Sequence, residues 1–134
     1  MDKMISTLMQ ACVITVDVDA SIESVEKILH FHHLSCVPVV DATGRCFGIV
    51  SSTDIVHFHA SNKDAKIERA WEICTHKIIE VGTGTSIKEA AQLMVAHNIH
   101  HLLVVEDDAI RGIVSSIDFI GEFLLKIAEL QETD

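Results

Sequence analysis

Gly48-Ile-Val-Ser-Ser-Thr-Asp54 and Gly112-Ile-Val-Ser-Ser-Ile-Asp118 are the same heptapeptide written twice, with Thr53 against Ile117 as the one unlike position. Working outward from this pair, the match continues upstream. Val39-Val40 falls on Val104-Val105 at a shift of 65 residues, with one residue deleted in the second copy between there and the heptapeptide. Further back, His32 falls on His97, Leu29 on Met94, Ser21-Ile22 on Ser86-Ile87 and Val16 on Val81. Order and spacing are kept together, so the chain is an internal duplication.

Each copy carries the same local code. A short strand is expected at Val13–Val16 and at Ile78–Val81. An amphipathic helix follows, with Ile22, Val25, Ile28 and Leu29 on one face in the first copy and Ile87, Ala90, Ala91 and Met94 in the second. Ser86 and Glu89 have capping-box spacing at the helix start. The continuous apolar runs Val37–Val40 and Leu102–Val105 read as strands buried on both faces. Asp41-Ala-Thr-Gly44 is a turn signal, replaced by Glu106-Asp-Asp108 in the second copy. A second strand, Phe47–Val50 or Ile110–Val114, completes a hairpin, and a helix opens near Asp54 or Asp118. The order β-α-β-β-α is thus used twice, an α+β fold with small sheets flanked by helices. The boundary between copies is placed at residues 65 and 66, within a mostly polar joining segment, 57–70. Neither copy of about 60 residues buries its sheet well alone, so the two are expected to pack about a pseudo-two-fold axis. The last helix runs to about Leu130, and its apolar stripe suits either the other copy or a second subunit.

Composition narrows the function. Of 134 residues 49% are hydrophobic and only 4% aromatic, so the core is aliphatic. The formal net charge of -10 argues against nucleic acid and against an acidic membrane surface, since both need a basic patch. No apolar run approaches the ~20 residues that span a bilayer, and no secretory leader is evident, so a cytoplasmic location is expected. Cys12, Cys36, Cys46 and Cys74 form no C-x-x-C pattern and are expected as buried free thiols. Nine histidines raise the question of a metal, but His57 and His59 are two apart, His97 and His101 are separated by a helix-to-strand transition, and no H-E-x-x-H occurs. No metal site is expected. Val81-Gly-Thr-Gly-Thr-Ser86 lacks the third glycine of a dinucleotide fingerprint and reads as a turn. Ser51 and Ser115 lie outside any G-x-S-x-G elbow, and no enzyme is expected.

Taken together, the strand and helix-start blocks, Val37-Pro-Val-Val-Asp41 and the two Gly-Ile-Val-Ser-Ser-x-Asp motifs resemble the CBS domain family in its tandem arrangement, from about Ile5 to about Leu125. The resemblance implies a cleft between paired motifs that takes AMP, ADP, ATP or S-adenosyl compounds, with the motif aspartate gripping the ribose hydroxyls. Charge-assisted bonds of that kind are worth roughly 1.5–3 kcal/mol each. It implies a favoured site of Ser51, Thr53 and Asp54 with Ile78, Ile99, His100 and His101, and a weaker one of Ser115 and Asp118 with Val13, Leu34, Ser35 and Cys36. Two departures stand out: Ile117 replaces a hydroxyl, and His101 stands where strong nucleotide binders often have arginine. The resemblance further implies a homodimer acting on an unidentified regulated protein. Two alternatives stay open, a ligand-free dimeric scaffold and an S-adenosyl binder.

Overall fold

The computed structural model describes residues 3–76 and 78–132. Its elements are β1 (Val16–Asp17), α1 (Ile22–Phe31), β2 (Cys36–Val40), β3 (Cys46–Ser51), α2 (Ser52–Ala60), α3 (Ala70–Ile73), β4 (Glu80–Gly82), α4 (Ile87–His97), β5 (His101–Glu106), β6 (Ala109–Ser115) and α5 (Ser116–Glu132). The doubled β-α-β-β-α order is present. The first strand of each copy is shorter than expected and lies later in the chain. Residues 57–60, read as joining segment, belong to helix α2, and the short α3 follows.

Two three-stranded sheets form, β1-β2-β3 and β4-β5-β6. In each, the first strand runs parallel to the middle one and the third antiparallel to it. The middle strands are buried over Cys36–Val39 in β2 and Leu102–Val104 in β5, which is why they read as unbroken apolar runs. Both hairpins shift register at the same repeat position, between Val39 and Val40 and between Val104 and Val105. The deleted residue shortens the second turn to Asp107-Asp108, both with positive φ, the two-residue geometry that suits strand twist.

The chain divides into two compact units, Ile14–Ile78, and Met1–Val13 together with Ile79–Asp134. That differs from the boundary at 65 and 66, and the reason is a pair of equivalent straps. In the second unit Ile5 donates its N–H to the Thr85 carbonyl, and Ile87 donates to the Lys3 carbonyl. In the first unit Ala70 donates to the Ala20 carbonyl, and Ile22 to the Glu68 carbonyl. Each residue of one set lies 65 positions from its counterpart in the other. The segment before the first copy therefore closes the second unit, and the segment before the second copy closes the first. Ile5 and Ala70, counterparts, are both fully buried. The upstream half of the repeat escaped sequence reading because only its apolar spacing is kept.

Each unit has its own aliphatic core. One gathers Val16, Ile22, Val25, Val37, Val39, Val50 and Phe58, the other Ile5, Ile87, Ala90, Leu102, Val104 and Val114. Gly48 and Gly112 sit where the straps cross the third strands. A Cβ on Gly48 would lie 2.6 Å from Cys74 Sγ and 2.8 Å from the Thr75 carbonyl, while one on Gly112 would collide with Met9. The two motif glycines are thus required by close approach of another segment.

Candidate functional site

The heptapeptide ends each hairpin and opens the next helix. In the first unit the Ser51 N–H and Oγ–H both donate to Asp54 Oδ2, at 2.8 and 3.0 Å, and Ser51 Oγ accepts the Asp54 N–H at 3.2 Å. This reciprocal pair is a capping box that fixes the carboxylate at the helix start. In the second unit Ser115 donates to Asp118 Oδ2 through N–H and Oγ–H at the same 2.8 and 3.0 Å. Both aspartates are half-buried, and Oδ1 of each accepts nothing from the described residues. One oxygen holds the side chain in place and the other remains open to a donor.

The helix starts are tied further to the residues before the middle strands. Ser52 donates to the Ser35 carbonyl at 2.8 Å, and Ser116 to the His100 carbonyl at 2.9 Å. The expected favoured set is divided between the two units. Ser51, Thr53, Asp54 and Ile78 belong to the first unit, with Thr53 exposed, whereas Ile99, His100 and His101 belong to the second. The weaker set divides likewise, with Leu34, Ser35 and Cys36 in the first unit and Val13, Ser115 and Asp118 in the second. Leu34 lines a groove in its own unit with Leu29, Ser52 and Ile55, and Ile99 and His100 line a groove in theirs with Met94, Ser116 and Phe119.

Electrostatics separates these residues. Burial holds the His101 imidazole below the usual histidine range, His100 adds to the effect, and Asp118 opposes it. His101 is therefore mainly neutral at pH 7, and Asp118 belongs to its own unit through the pairing of His101 with Ser115. Burial pushes the Cys36 thiol up to about 11, so at the equivalent position of the first unit there is an uncharged, unreactive side chain. Cys74 is buried as well and its thiol is raised, chiefly by burial, with Asp54 contributing. Cys46 is half-buried and Cys12 is exposed, a correction to the expectation that all four thiols are interior. Among the described residues no group of three or more His, Cys, Asp or Glu side chains is arranged to hold a metal ion.

Beside Asp54 lies a hollow of about 300 Å³, at the small end of the range for ligand pockets. His57, Lys63, Glu68 and Glu72 share its lining with Asp54. A hydrogen bond to Glu72 raises the Glu68 carboxyl above the usual carboxylate range. Sequence reading missed Glu68 and Glu72, since they lie on the strap rather than on the motif.

A chain built from two such units, with a capped aspartate opening the last helix of each, is a tandem of one small α+β motif. The CBS domain model matches residues 5–61 and 70–125, and the chain belongs to that family. The solved CBS domain pair of protein MJ0100, in complex with 5'-methylthioadenosine and S-adenosyl-L-methionine, superposes with a TM-score of 0.84 at 30% identity, covering 94% of this chain and 99% of that one. An L-aspartate semialdehyde sulfurtransferase of Methanocaldococcus jannaschii is 36% identical over 106 residues, 78% of this chain. The CBS domain-containing protein YhcV of Bacillus subtilis is 26% identical over 104 residues, 77% of this chain and 73% of its own length. The chain spans about a fifth of the length of the first of these curated relatives, as the match covers 20% of the sulfurtransferase. Among the described residues no helix is long and apolar enough to cross a membrane.

Proposed function

We propose that this CBS pair is a ligand-sensing module that binds an adenosine-containing molecule, acts as a dimer and passes the ligand's presence to another protein. The carrying observation is the Asp54 carboxylate, fixed by Ser51 through one oxygen and open at the other. A pre-positioned acceptor loses little freedom on accepting a ribose hydroxyl. AMP is the leading ligand. Asp54 grips the ribose, with Ser51 and Thr53 near ribose or phosphate, Ile78 and Ile99 as the adenine wall, and His100 and His101 toward the phosphate. Because His101 is held neutral, one phosphate is better matched than three. Asp118, with Ser115, Val13, Leu34, Ser35 and Cys36, forms the weaker counterpart.

A second reading, an S-adenosyl compound, is favoured by the MJ0100 pair and by the Glu68 and Glu72 carboxyls beside Asp54, which suit a cationic ligand better than a polyphosphate.

Thermal shift with AMP, ADP, ATP, S-adenosylmethionine and 5'-methylthioadenosine separates these readings. AMP shifting the melting point most supports the first, and S-adenosylmethionine doing so supports the second. In either case Asp54→Asn should remove most of the ligand-induced shift and Asp118→Asn much less. No shift with any of the five at millimolar concentration refutes ligand sensing.

A further inference from the structure

The hollow beside Asp54 occupies a place in the first unit that the second unit fills in its own way. Glu68 offers its carbonyl to the Ile22 N–H, and Lys3 offers its carbonyl to the Ile87 N–H, so the two residues hold equivalent positions on the two straps. Along the motif helices a shift of 64 sets Asp54 against Asp118 and Phe58 against Glu122. In the second unit the Glu122 side chain is only 11% exposed, and the strap supplies its counter-ion, Lys3 Nζ at 4.0 Å. There an ammonium on an aliphatic stem reaches from strap to helix.

In the first unit the strap carries the opposite charge. Glu68 and Glu72, four residues apart, share the hollow of about 300 Å³ with Asp54, and Phe58 and Ile73 give it an apolar wall. The Glu68 carboxyl is bonded to the Glu72 carboxyl, whose Oε1 also accepts the Arg69 N–H at 3.0 Å. Like charges repel at this spacing, so the contact needs a proton or another cation between the two groups. Lys63 lies on the lining and attracts both carboxyls, and His57 is the other basic group there. The Arg69 guanidinium is bonded to the Asp19 carbonyl at 3.2 Å. Three carboxyl groups therefore share the hollow with one lysine and one histidine. Among the described residues no three such groups converge on a point that suits a metal ion. An ammonium suits them better, because its three N–H donors diverge and reach carboxyl groups set apart from one another.

We infer that the hollow is an ammonium subsite: a protonated primary amine sits between Glu68 and Glu72 with its aliphatic stem along Phe58 and Ile73, as Lys3 sits toward Glu122 in the second unit. The ammonium takes the place of the proton shared by the two carboxyl groups, and that proton passes to solvent. Apolar walls beneath a charged head are the surroundings that an alkylammonium chain favours. Two sources carry this chemistry, the amino-acid end of an adenosyl ligand whose ribose lies on Asp54, and a separate small alkylamine. The first source rests on the adenosine-binding reading proposed above, and the second does not.

Isothermal titration of the full chain at pH 7 tests the subsite with S-adenosylhomocysteine, 5'-methylthioadenosine and putrescine. The first two share the thioadenosine part, and only S-adenosylhomocysteine adds an amine. The variant is Glu68→Gln with Glu72→Gln, which keeps the size and the acceptor for the Arg69 N–H and removes the charge; far-UV circular dichroism verifies its fold. The expected result is S-adenosylhomocysteine binding about tenfold or more tighter than 5'-methylthioadenosine, as one charge-assisted bond supplies. The preference should vanish in the variant while 5'-methylthioadenosine binds it unchanged. Putrescine binding to wild type but not to the variant, with the two thioadenosines alike, supports the subsite and assigns it to a separate amine. The same putrescine result without thioadenosine binding keeps the subsite and removes the S-adenosyl reading. The two thioadenosines binding alike with no putrescine binding overturns the subsite and leaves adenosine binding standing. An amine preference that survives in the variant also overturns it. Binding of none of the three overturns the subsite, and AMP titrated in the same way then decides the adenosine reading by itself.

Discussion

Replacing Gly48 by alanine probes the strap most directly. The added Cβ would stand 2.6 Å from Cys74 Sγ, 2.8 Å from the Thr75 carbonyl and 2.9 Å from Cys74 Cβ. Ordinary contacts are about 3.5 Å or more, so the strap must retreat by roughly 1 Å. It is held there by two backbone bonds, Ile49 N–H to the Thr75 carbonyl at 3.0 Å and Thr75 N–H to the Ile49 carbonyl at 2.9 Å. Weakening both costs about 1–2 kcal/mol at roughly 1 kcal/mol net per bond, and overpacking adds about 1–3 kcal/mol. Alanine returns about 0.4–1 kcal/mol by stiffening the unfolded chain. The net loss is about 1–4.5 kcal/mol, a fall of roughly 3–15 °C in a chain of this size. Gly112→Ala should cost less, about 1 kcal/mol, because its neighbours are all atoms of the flexible Met9 side chain. Gly82→Ala, with nothing within 4 Å, is the control and should leave the melting point nearly unchanged. The assay is thermal unfolding by circular dichroism with urea titration as a check. A Gly48→Ala protein melting within 1 °C of wild type would refute the strap, and Gly112→Ala losing more than Gly48→Ala would refute the ranking.

Other outcomes follow from the same geometry. Ser51→Ala removes the acceptor of the Asp54 N–H and one donor to its carboxylate, and should lower stability by about 1 kcal/mol in urea unfolding; an unchanged midpoint would mean the capping box is not formed in solution. His101 binds its proton less readily folded than unfolded, so the folded state carries fewer protons and stability falls as pH drops below about 6.5. His101→Gln should flatten the melting-point slope between pH 7 and pH 5, and an unaltered slope would assign it to other groups. Thiol titration with a disulfide reagent at pH 8 should modify Cys12 first and Cys36 only on unfolding, because Cys36 is buried with its thiol raised to about 11; fast reaction of Cys36 would contradict its burial.

The sequence alone determined the duplication, the two hairpins and the helices that follow them. The reason is that β-branched runs buried on both faces, such as Val37–Val40 and Leu102–Val105, and serine caps at Ser21 and Ser86 act within a few residues. It also located Asp54 and Asp118 at helix starts. That each would spend one oxygen on its own serine is equally local, and the spacing of Ser51 to Asp54 already contains it. Only the tertiary structure decided that residues 3–10 and 68–75 close opposite units, that Glu68 and Glu72 stand beside Asp54, and that the last helix carries an uncovered stripe. These depend on contacts between segments far apart in the chain, where a strap needs only buried apolar spacing and a clear path over Gly48 or Gly112. Many sequences supply that spacing, so the pattern does not identify which sheet the strap will cross.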